Sequence, residues 1–485
     1  MILTPFIILP FIGIIHLLFT PKDKINRLFN ISLLWSMALL SYFIIFWLII
    51  NFNINFQCQT YWDWLLNPTL SLYWGLIVFS VDGLSLFFIG LSIILIPICI
   101  LISYSAILVL HKEFLITLFS ILILLIGVFT IMDLLVFYIL FEAILIPMFI
   151  VIGIWGSREE KIKAAFYFFF YTLIGSLLML ISIFKIYSLT GTTNYLTLIS
   201  IFIPSNLQFW LFVGFFASLS AKIPMIPLHI WLPQAHVEAP VSGSVLLAGI
   251  LLKLGGYGFL RFSYPLLPVA SEYFTPFIVT ISLIAIIYAS FTTCRQSDVK
   301  RLIAYSSVAH MGFVTLAIFT HSVEGIIASV LMMLAHGLVS SGLFMTTSIL
   351  YVRHHSRTIK YYRGLVSLMP LFSLVSLILI LGNISFPLTF NFIAEFISIT
   401  AAFNYSHYSG ILSCIGVFLG TVYSFYLYNR IHFGVLSSHL LYSRDFLRFE
   451  FYSFIPIIFL TIWFGLYPNS IMFTLNFSSY INISL

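Results

Sequence analysis

Four charged residues stand inside runs that are otherwise apolar: Glu142 in FYILFEAILIP, Lys222 in SLSAKIPMIP, Lys253 in LAGILLKLGGYG and Glu395 in NFIAEFIS. Four histidines have comparable surroundings: His229 and His236 in PLHIWLPQAH, His310 in SSVAHMG and His336 in MLAHGLVSSG. Lysine, glutamate and histidine share one chemistry: each can take up and release a proton. Burial works against the charged form of each, and a nearby opposite charge restores it. Moving such a partner switches a lysine between holding a proton and releasing it. Histidine suits the steps between, because its unperturbed pKa is about 6.5. The pattern predicts a proton path in which Glu142, Lys222, Lys253 and Glu395 transfer protons and His229, His236, His310 and His336 lie between them. The alternative is two structural ion pairs that fix helix packing, with the histidines as packing residues.

Other chemistries find no support in the residues. His229 and His236 match no metal-binding spacing, and Pro233 interrupts them. Cys58, Cys99, Cys294 and Cys414 lie far apart with no CxxC pair. There is no GxGxxG, P-loop, nucleophile elbow or flavin motif. The expectation is a chain with no metal site, no cofactor site, and no redox or hydrolytic chemistry of its own.

Charges held in apolar runs need a membrane around them. The chain has 485 residues, 61% hydrophobic and 7% charged, whereas a soluble domain carries about 25% charged residues. Short alternating segments, the mark of a β-barrel, are missing. The reading is an all-α polytopic membrane protein. The N-terminal MILTPFIILPFIGIIHLLFT has no basic residue before its apolar run and reads as a first span rather than a cleaved leader. At about 20 apolar residues per span, the chain holds about fourteen. They run near Ile2–Phe19, Ile31–Ile50, Leu84–Val109, Phe114–Met132, Leu134–Ile154, Ala164–Tyr187 and Phe209–His236. The remainder lie near Ser242–Phe262, Phe274–Thr293, Leu302–Thr320, Ile326–Tyr351, Leu365–Ala402, Ile411–Asn429 and Phe451–Phe473.

The seventh and twelfth of these are too long for one crossing. At 1.5 Å per residue the seventh would measure about 40 Å against about 30 Å of hydrocarbon. Each has a proline in its middle, Pro227 and Pro387. Both are expected to be helices broken near mid-membrane, the alternative being long tilted helices with a proline kink. A charge at the bilayer centre costs about 2.5–3.5 kcal/mol on insertion scales, so four such residues require a compensating role.

The connections divide by charge. Those after odd-numbered spans carry 17 of the 21 basic residues; Lys185 and Arg261 lie near span ends, and Lys222 and Lys253 lie inside spans. Basic loops stay on the side of synthesis. Odd connections are therefore expected to face the cytoplasm or mitochondrial matrix, with both termini on the other side. This accounts for the net charge of +6 without nucleic acid. A repeat is also legible. Asp133 opens the fifth span and Asp298 stands before the tenth, while Pro227 in the seventh matches Pro387 in the twelfth. Units of five spans must be inverted relative to one another, a plan common in ion transporters.

The segments FYILFEAILIPMFIVIGIWGSR, KIPMIPLHIWLPQAHVEAPVSGSVLLAGILLKLGGYG, RLIAYSSVAHMG and MLAHGLVSSGLF resemble the antiporter-like subunits of mitochondrial respiratory complex I, an NADH:ubiquinone oxidoreductase. The resemblance covers most of the chain. It implies fourteen helices in a single membrane domain over residues 1–485. The parts would be three initial helices over 1–110, a five-helix repeat over 111–265, its inverted counterpart over 266–432, and a C-terminal loop and last helix over 433–485. It implies that Glu142 and Lys222 are the paired residues that begin a half-channel. Lys253 becomes the central-axis lysine, Glu395 the second key acid, and His310 and His336 polar positions between them. The implied function is proton translocation in the membrane arm of complex I. NADH, FMN, the iron–sulfur clusters and ubiquinone would be bound by other subunits.

Implied partners are the other membrane-arm subunits, including neighbouring antiporter-like ones, and lipids, with no nucleic acid. The implied location is the mitochondrial inner membrane, with both termini on the intermembrane-space side. The alternative is a subunit of a stand-alone multi-subunit cation/proton antiporter. One departure stands out. The family usually carries Pro-Gly-Thr and Gly-Glu-Phe in the twelfth helix, where this chain has Pro387-Leu388-Thr389 and Ala394-Glu395-Phe396. The acid is kept and two glycines are replaced.

Overall fold

The computed structural model describes residues 2–50, 57–63, 76–440 and 444–475. Eleven helices among the described residues are long and apolar enough to cross a membrane. Helices α1 (Thr4–Phe19) and α2 (Ile25–Ile49) lead into the one antiparallel pair among the described residues, β1 (Gln57–Asp63) and β2 (Leu76–Val81). Next come α3 (Gly83–Ala106) and α4 (His111–Thr130).

The span expected over Leu134–Ile154 is two helices, α5 (Leu134–Ala143) and α6 (Leu145–Trp155), meeting at Ile144. Pro147 explains this difference, because a proline has no N–H for the carbonyl four residues earlier, that of Ala143. Helix α7 (Lys161–Thr190) and the short α8 (Tyr195–Ser200) follow.

The seventh segment is broken. Helix α9 (Ser205–Lys222) stops at Lys222, residues 223–230 are non-helical, and α10 (Trp231–Glu238) resumes the path. Pro224 and Pro227 lie in the gap, and the Ile226–Pro227 peptide is cis. Trp231 ties the two halves together by donating from Nε1 to the Ala221 carbonyl at 2.8 Å.

The eighth segment comprises α11 (Val241–Leu246), α12 (Leu252–Gly258) and α13 (Tyr264–Leu266). Two five-residue π-helical stretches, Leu247–Leu251 and Phe259–Ser263, join them. Such widened turns free backbone groups and are frequent at functional sites.

Three long helices come next, α14 (Pro268–Cys294), α15 (Val299–Ile318) and α16 (Val323–His354). The twelfth segment is also broken, into α17 (Leu365–Leu368), α18 (Pro370–Asn383) and α19 (Phe390–Tyr405), with residues 384–389 non-helical around Pro387. Helices α20 (His407–His432) and α21 (Arg448–Leu466) follow, and residues 469–475 are again helical.

Short polar side chains set several helix starts. Asp82 accepts from the Ser85 N–H at α3, Asp133 from the N–H groups of Leu135 and Val136 at α5, and Asp298 from those of Lys300 and Arg301 at α15. Each satisfies donors that the first turn of a helix leaves unpaired. Burial shows which helices form the centre. The segment Val241–Leu266 and helix α16 are buried over their whole apolar windows, and α3 and α15 over 89% of theirs. Only 28% of the windows in α2 and α21 is buried. The outer helices present leucine, isoleucine and phenylalanine outward, as suits a lipid or subunit boundary. The residues singled out in the sequence stand mainly on the inner helices and at the breaks beside them.

Candidate functional site: a row of ionisable groups at membrane depth

Lys222 is the last residue of α9, beside the break. Its Nζ lies 3.4 Å from Oε1 of Glu142 and donates to the Phe141 carbonyl at 2.6 Å. It also sits 3.0 Å from the centroid of the Phe141 ring. Glu142 occupies the α5–α6 junction, so two interrupted helices bring the pair together. The lysine therefore has a carboxylate, a carbonyl and an aromatic face around it, each of which favours a cation.

Lys253 is fully buried on α12. Its Nζ donates to the carbonyl of Ala248, in the π-helical stretch just before it, and lies 2.8 Å from Nδ1 of His336 on α16. Among the described residues no carboxylate forms an ion pair with it. The rings of His336 and His310 are 5.4 Å apart, centroid to centroid. Nδ1 of His310 lies 3.0 Å from Oε1 of Glu395, an electrostatic contact whose angle is not that of a formed hydrogen bond. Nε2 of His310 lies 3.2 Å from Oδ1 of Asn383, whose amide donates to Ser424 at 3.0 Å. Asn383 closes α18 at the second break. The sequence therefore named four groups, Lys253, His336, His310 and Glu395, that the fold sets in one row.

His229 stands apart from that row, and His236 lies beside it without a hydrogen bond to its members. His229 faces the rings of Tyr288 and Tyr305 at 6.0 and 6.4 Å. His236 is fully buried and stacks on Phe344 at 4.5 Å, and neither of its ring nitrogens has a hydrogen-bond partner.

Glycines let these helices approach. A Cβ at Gly337 would lie 2.9 Å from the Gly249 carbonyl, beside the Lys253–His336 contact, and one at Gly255 would lie 2.9 Å from the Leu219 carbonyl. The second approach seats α12 against the end of α9. The side chain of Ile223, next to Lys222, meets Gly255, two residues from Lys253.

Several buried ionic groups were not singled out in the sequence. Arg261 and Asp82 form an ion pair at 2.6 Å, both nearly enclosed. Burial opposes the charge on Asp82, yet the Arg261 guanidinium and the Ser85 N–H outweigh it and hold the carboxyl below the ordinary carboxylate range. Lys300 donates to the Ala239 carbonyl at 2.6 Å, and Arg357 to the Val237 carbonyl at 2.5 Å. Both cations sit at the C-terminal end of α10, where a helix presents unpaired carbonyls. Burial lowers the pKa of Arg357 from its usual value, with the neighbouring Arg158 acting in the same direction. Arg353 pairs with Glu450 at 2.7 Å. The readable signal for Arg261 was an arginine in the apolar run GGYGFLRFSYP; Lys300 and Arg357 were hidden among ordinary loop cations.

Residues 131–420 match the family model described as "NADH:quinone oxidoreductase/Mrp antiporter, TM". The chain is 55% identical to NADH-ubiquinone oxidoreductase chain 4 of Metridium senile over 96% of its own length and 95% of the relative's. It is 48% identical to the Chondrus crispus protein of the same name, over 97% and 95%. Among solved structures it superposes on a chain of respiratory complex I from Thermus thermophilus with a TM-score of 0.89 and 25% identity, covering 100% of this chain and 99% of that one. It also shares the fold of a chain of the Mrp complex from Dietzia, with a TM-score of 0.86 and 15% identity over 99% and 97%.

Proposed function

The chain belongs to the NADH:quinone oxidoreductase/Mrp antiporter transmembrane family, among the proteins named NADH-ubiquinone oxidoreductase chain 4, and from that premise we propose that it is a proton-translocating core subunit in the membrane arm of NADH:ubiquinone oxidoreductase. The observation that carries this reading is the row Lys253–His336–His310–Glu395, with successive neighbours at 2.8 Å, 5.4 Å between rings, and 3.0 Å. Four groups able to exchange protons, aligned inside buried helices, cost too much in insertion to be kept for packing alone.

Glu142 and Lys222 load the path. The carboxylate beside Nζ favours the protonated lysine. When that carboxylate is drawn away by an event elsewhere in the complex, the desolvated ammonium loses its counter-charge and gives up the proton. The ends of α9 and α12 pack together through Ile223 and Gly255. This packing lets a shift at Lys222 reach the helix that carries Lys253. From Lys253 the proton passes to Nδ1 of His336, then toward His310 and Glu395. His229 and His236 flank the first break as relay groups toward this row. NADH, flavin, iron–sulfur clusters and ubiquinone are handled by other subunits.

The setting is the mitochondrial inner membrane, with both termini in the intermembrane space; the distribution of basic loops supports that orientation. Neighbouring antiporter-like subunits and lipids cover the outer helices. Two inverted repeats over 111–265 and 266–432 are supported by a matched detail. Asp133 and Asp298 cap their helices alike, and each forms an isolated β-bridge to a residue beyond the next-but-one long helix segment, Asn194 and Thr358.

The test is proton uptake by vesicles holding the assembled complex, comparing wild type with Lys253→Met. Full pumping by the variant would overturn the reading. The fold shared with the Mrp complex keeps a second reading in view, a stand-alone antiporter subunit. Co-purification with flavin- and iron–sulfur-bearing subunits separates the two.

A further inference from the structure

Lys253 and Arg261 stand on one helical run, eight residues and about 12 Å of rise apart. Tyr257 lies between them, four residues from each. Arg261 donates from Nε to the Tyr257 hydroxyl at 3.2 Å and from Nη2 to Oδ1 of Asp82 at 2.6 Å. The Tyr257 hydroxyl donates in turn to the Phe129 carbonyl at 3.1 Å. The Tyr195 ring lies 5.9 Å from the guanidinium carbon. The cluster occupies the side of the protein whose connections lack lysine and arginine. Asp82 follows the β1–β2 pair between α2 and α3, and Tyr195 lies in the connection between α7 and α9.

The polar groups near Lys253 offer two directions. One runs sideways through His336. The other is the line of the helix itself, on which Tyr257 is the next polar side chain one turn beyond Lys253, to the surface beyond Asp82; a proton taking it would return without passing Glu395. We infer that Arg261 is an electrostatic barrier that closes this short route and leaves Lys253 only the lateral one. It rests on the lateral path proposed above. A guanidinium keeps its proton at every accessible pH and accepts none, so it relays nothing. Its Nε edge faces Tyr257 and its Nη2 edge faces Asp82, so the ion pair turns its positive end toward Lys253. A proton leaving Lys253 along the helix climbs against a fixed charge, whereas His336 presents none. A fixed arginine excludes protons and cations from other membrane pores in the same manner. Asp82 is the counter-charge of the guanidinium, but the barrier resides in the arginine's own charge, which stays when Asp82 is neutralised.

The experiment measures passive proton flux in sealed vesicles holding assembled, resting complex under a potassium diffusion potential. Arg261→Gln is expected to raise the flux per complex several-fold, less than the roughly tenfold that one uncompensated charge at about 12 Å would be worth at an effective dielectric of about 20, because Asp82 offsets part of the field. Arg261→Lys and Asp82→Asn, which keep a cation at this position, stay at the wild-type level. An assembled Arg261→Gln as tight as wild type, or an Asp82→Asn equally leaky, would overturn the barrier.

If Arg261→Gln does not accumulate in assembled complex, Arg261→His decides. Relative to wild type, its leak should appear at about pH 8 and vanish at about pH 5.5, where the imidazole is charged; no difference between the two would equally overturn the inference. Resting leak is independent of turnover. Failure of the barrier thus leaves wild-type pumping untouched, while failure of the path itself shows as pumping that survives Lys253→Met.

Discussion

Nζ of Lys253 lies 2.8 Å from Nδ1 of His336, and both groups belong to helical segments buried along their whole apolar length. Two features of the backbone allow the contact. The π-helical stretch before Lys253 turns the Ala248 carbonyl toward the ammonium, and Gly249 and Gly337 let the two helices meet. The pair can pass a proton because lysine and imidazole exchange the roles of donor and acceptor.

His336→Gln keeps a polar side chain but removes the group that titrates. Proton pumping is expected to fall strongly while the complex assembles. Pumping at the wild-type level, measured in vesicles with equal complex content, would remove His336 from the path.

Lys222→Ala and Glu142→Ala are each expected to impair pumping, because the pair, 3.4 Å apart, is the group proposed to load the path. Glu142→Asp should be milder, since the charge stays and only the reach shortens. Assembly should survive in all three. Loss of assembly in both alanine variants would instead make the pair a structural one.

Gly337→Ala places a methyl group 2.9 Å from the Gly249 carbonyl and 3.6 Å from Cε of Lys253. Overpacking of this kind costs about 1–3 kcal/mol. The expected result is a lower thermal midpoint of the complex together with weakened pumping, because the Lys253–His336 distance opens. An unchanged midpoint would show that the helices separate freely there.

Leu388 has φ +77°, a left-handed conformation that is unfavourable for a branched side chain and that glycine adopts freely. Leu388→Gly should stabilise the second break by about 1 kcal/mol, read as slower proteolysis or a higher thermal midpoint. A destabilised variant would mean that the exposed leucine side chain makes a contact worth more than its strain.

Most of the proposed site can be read in the sequence, and less of its support. Glu142, Lys222, Lys253 and Glu395 were legible because a charge in an apolar run contradicts its surroundings. The breaks were legible because Pro227 and Pro387 lie in segments too long for one crossing. The Lys253–His336–His310–Glu395 order was not legible, because it depends on how α12, α15, α16 and α19 pack. Arg261 and Asp82 are 179 positions apart and look like ordinary span-end charges until the fold encloses them. The π-helical turns around Lys253 follow from packing rather than from any residue that marks them locally. The α5–α6 junction was signalled only by Pro147, inside a run that otherwise reads as one helix.

The central claim is that protons cross the membrane through Lys253 on their way to Glu395. The most direct measurement is the number of protons pumped per NADH oxidised, in sealed vesicles containing equal amounts of assembled complex with wild-type or Lys253→Met subunit. The account predicts a lower ratio in the variant, since this subunit's share of the pumping is lost while its neighbours continue. A ratio equal to that of the wild type, at equal assembly, would contradict it.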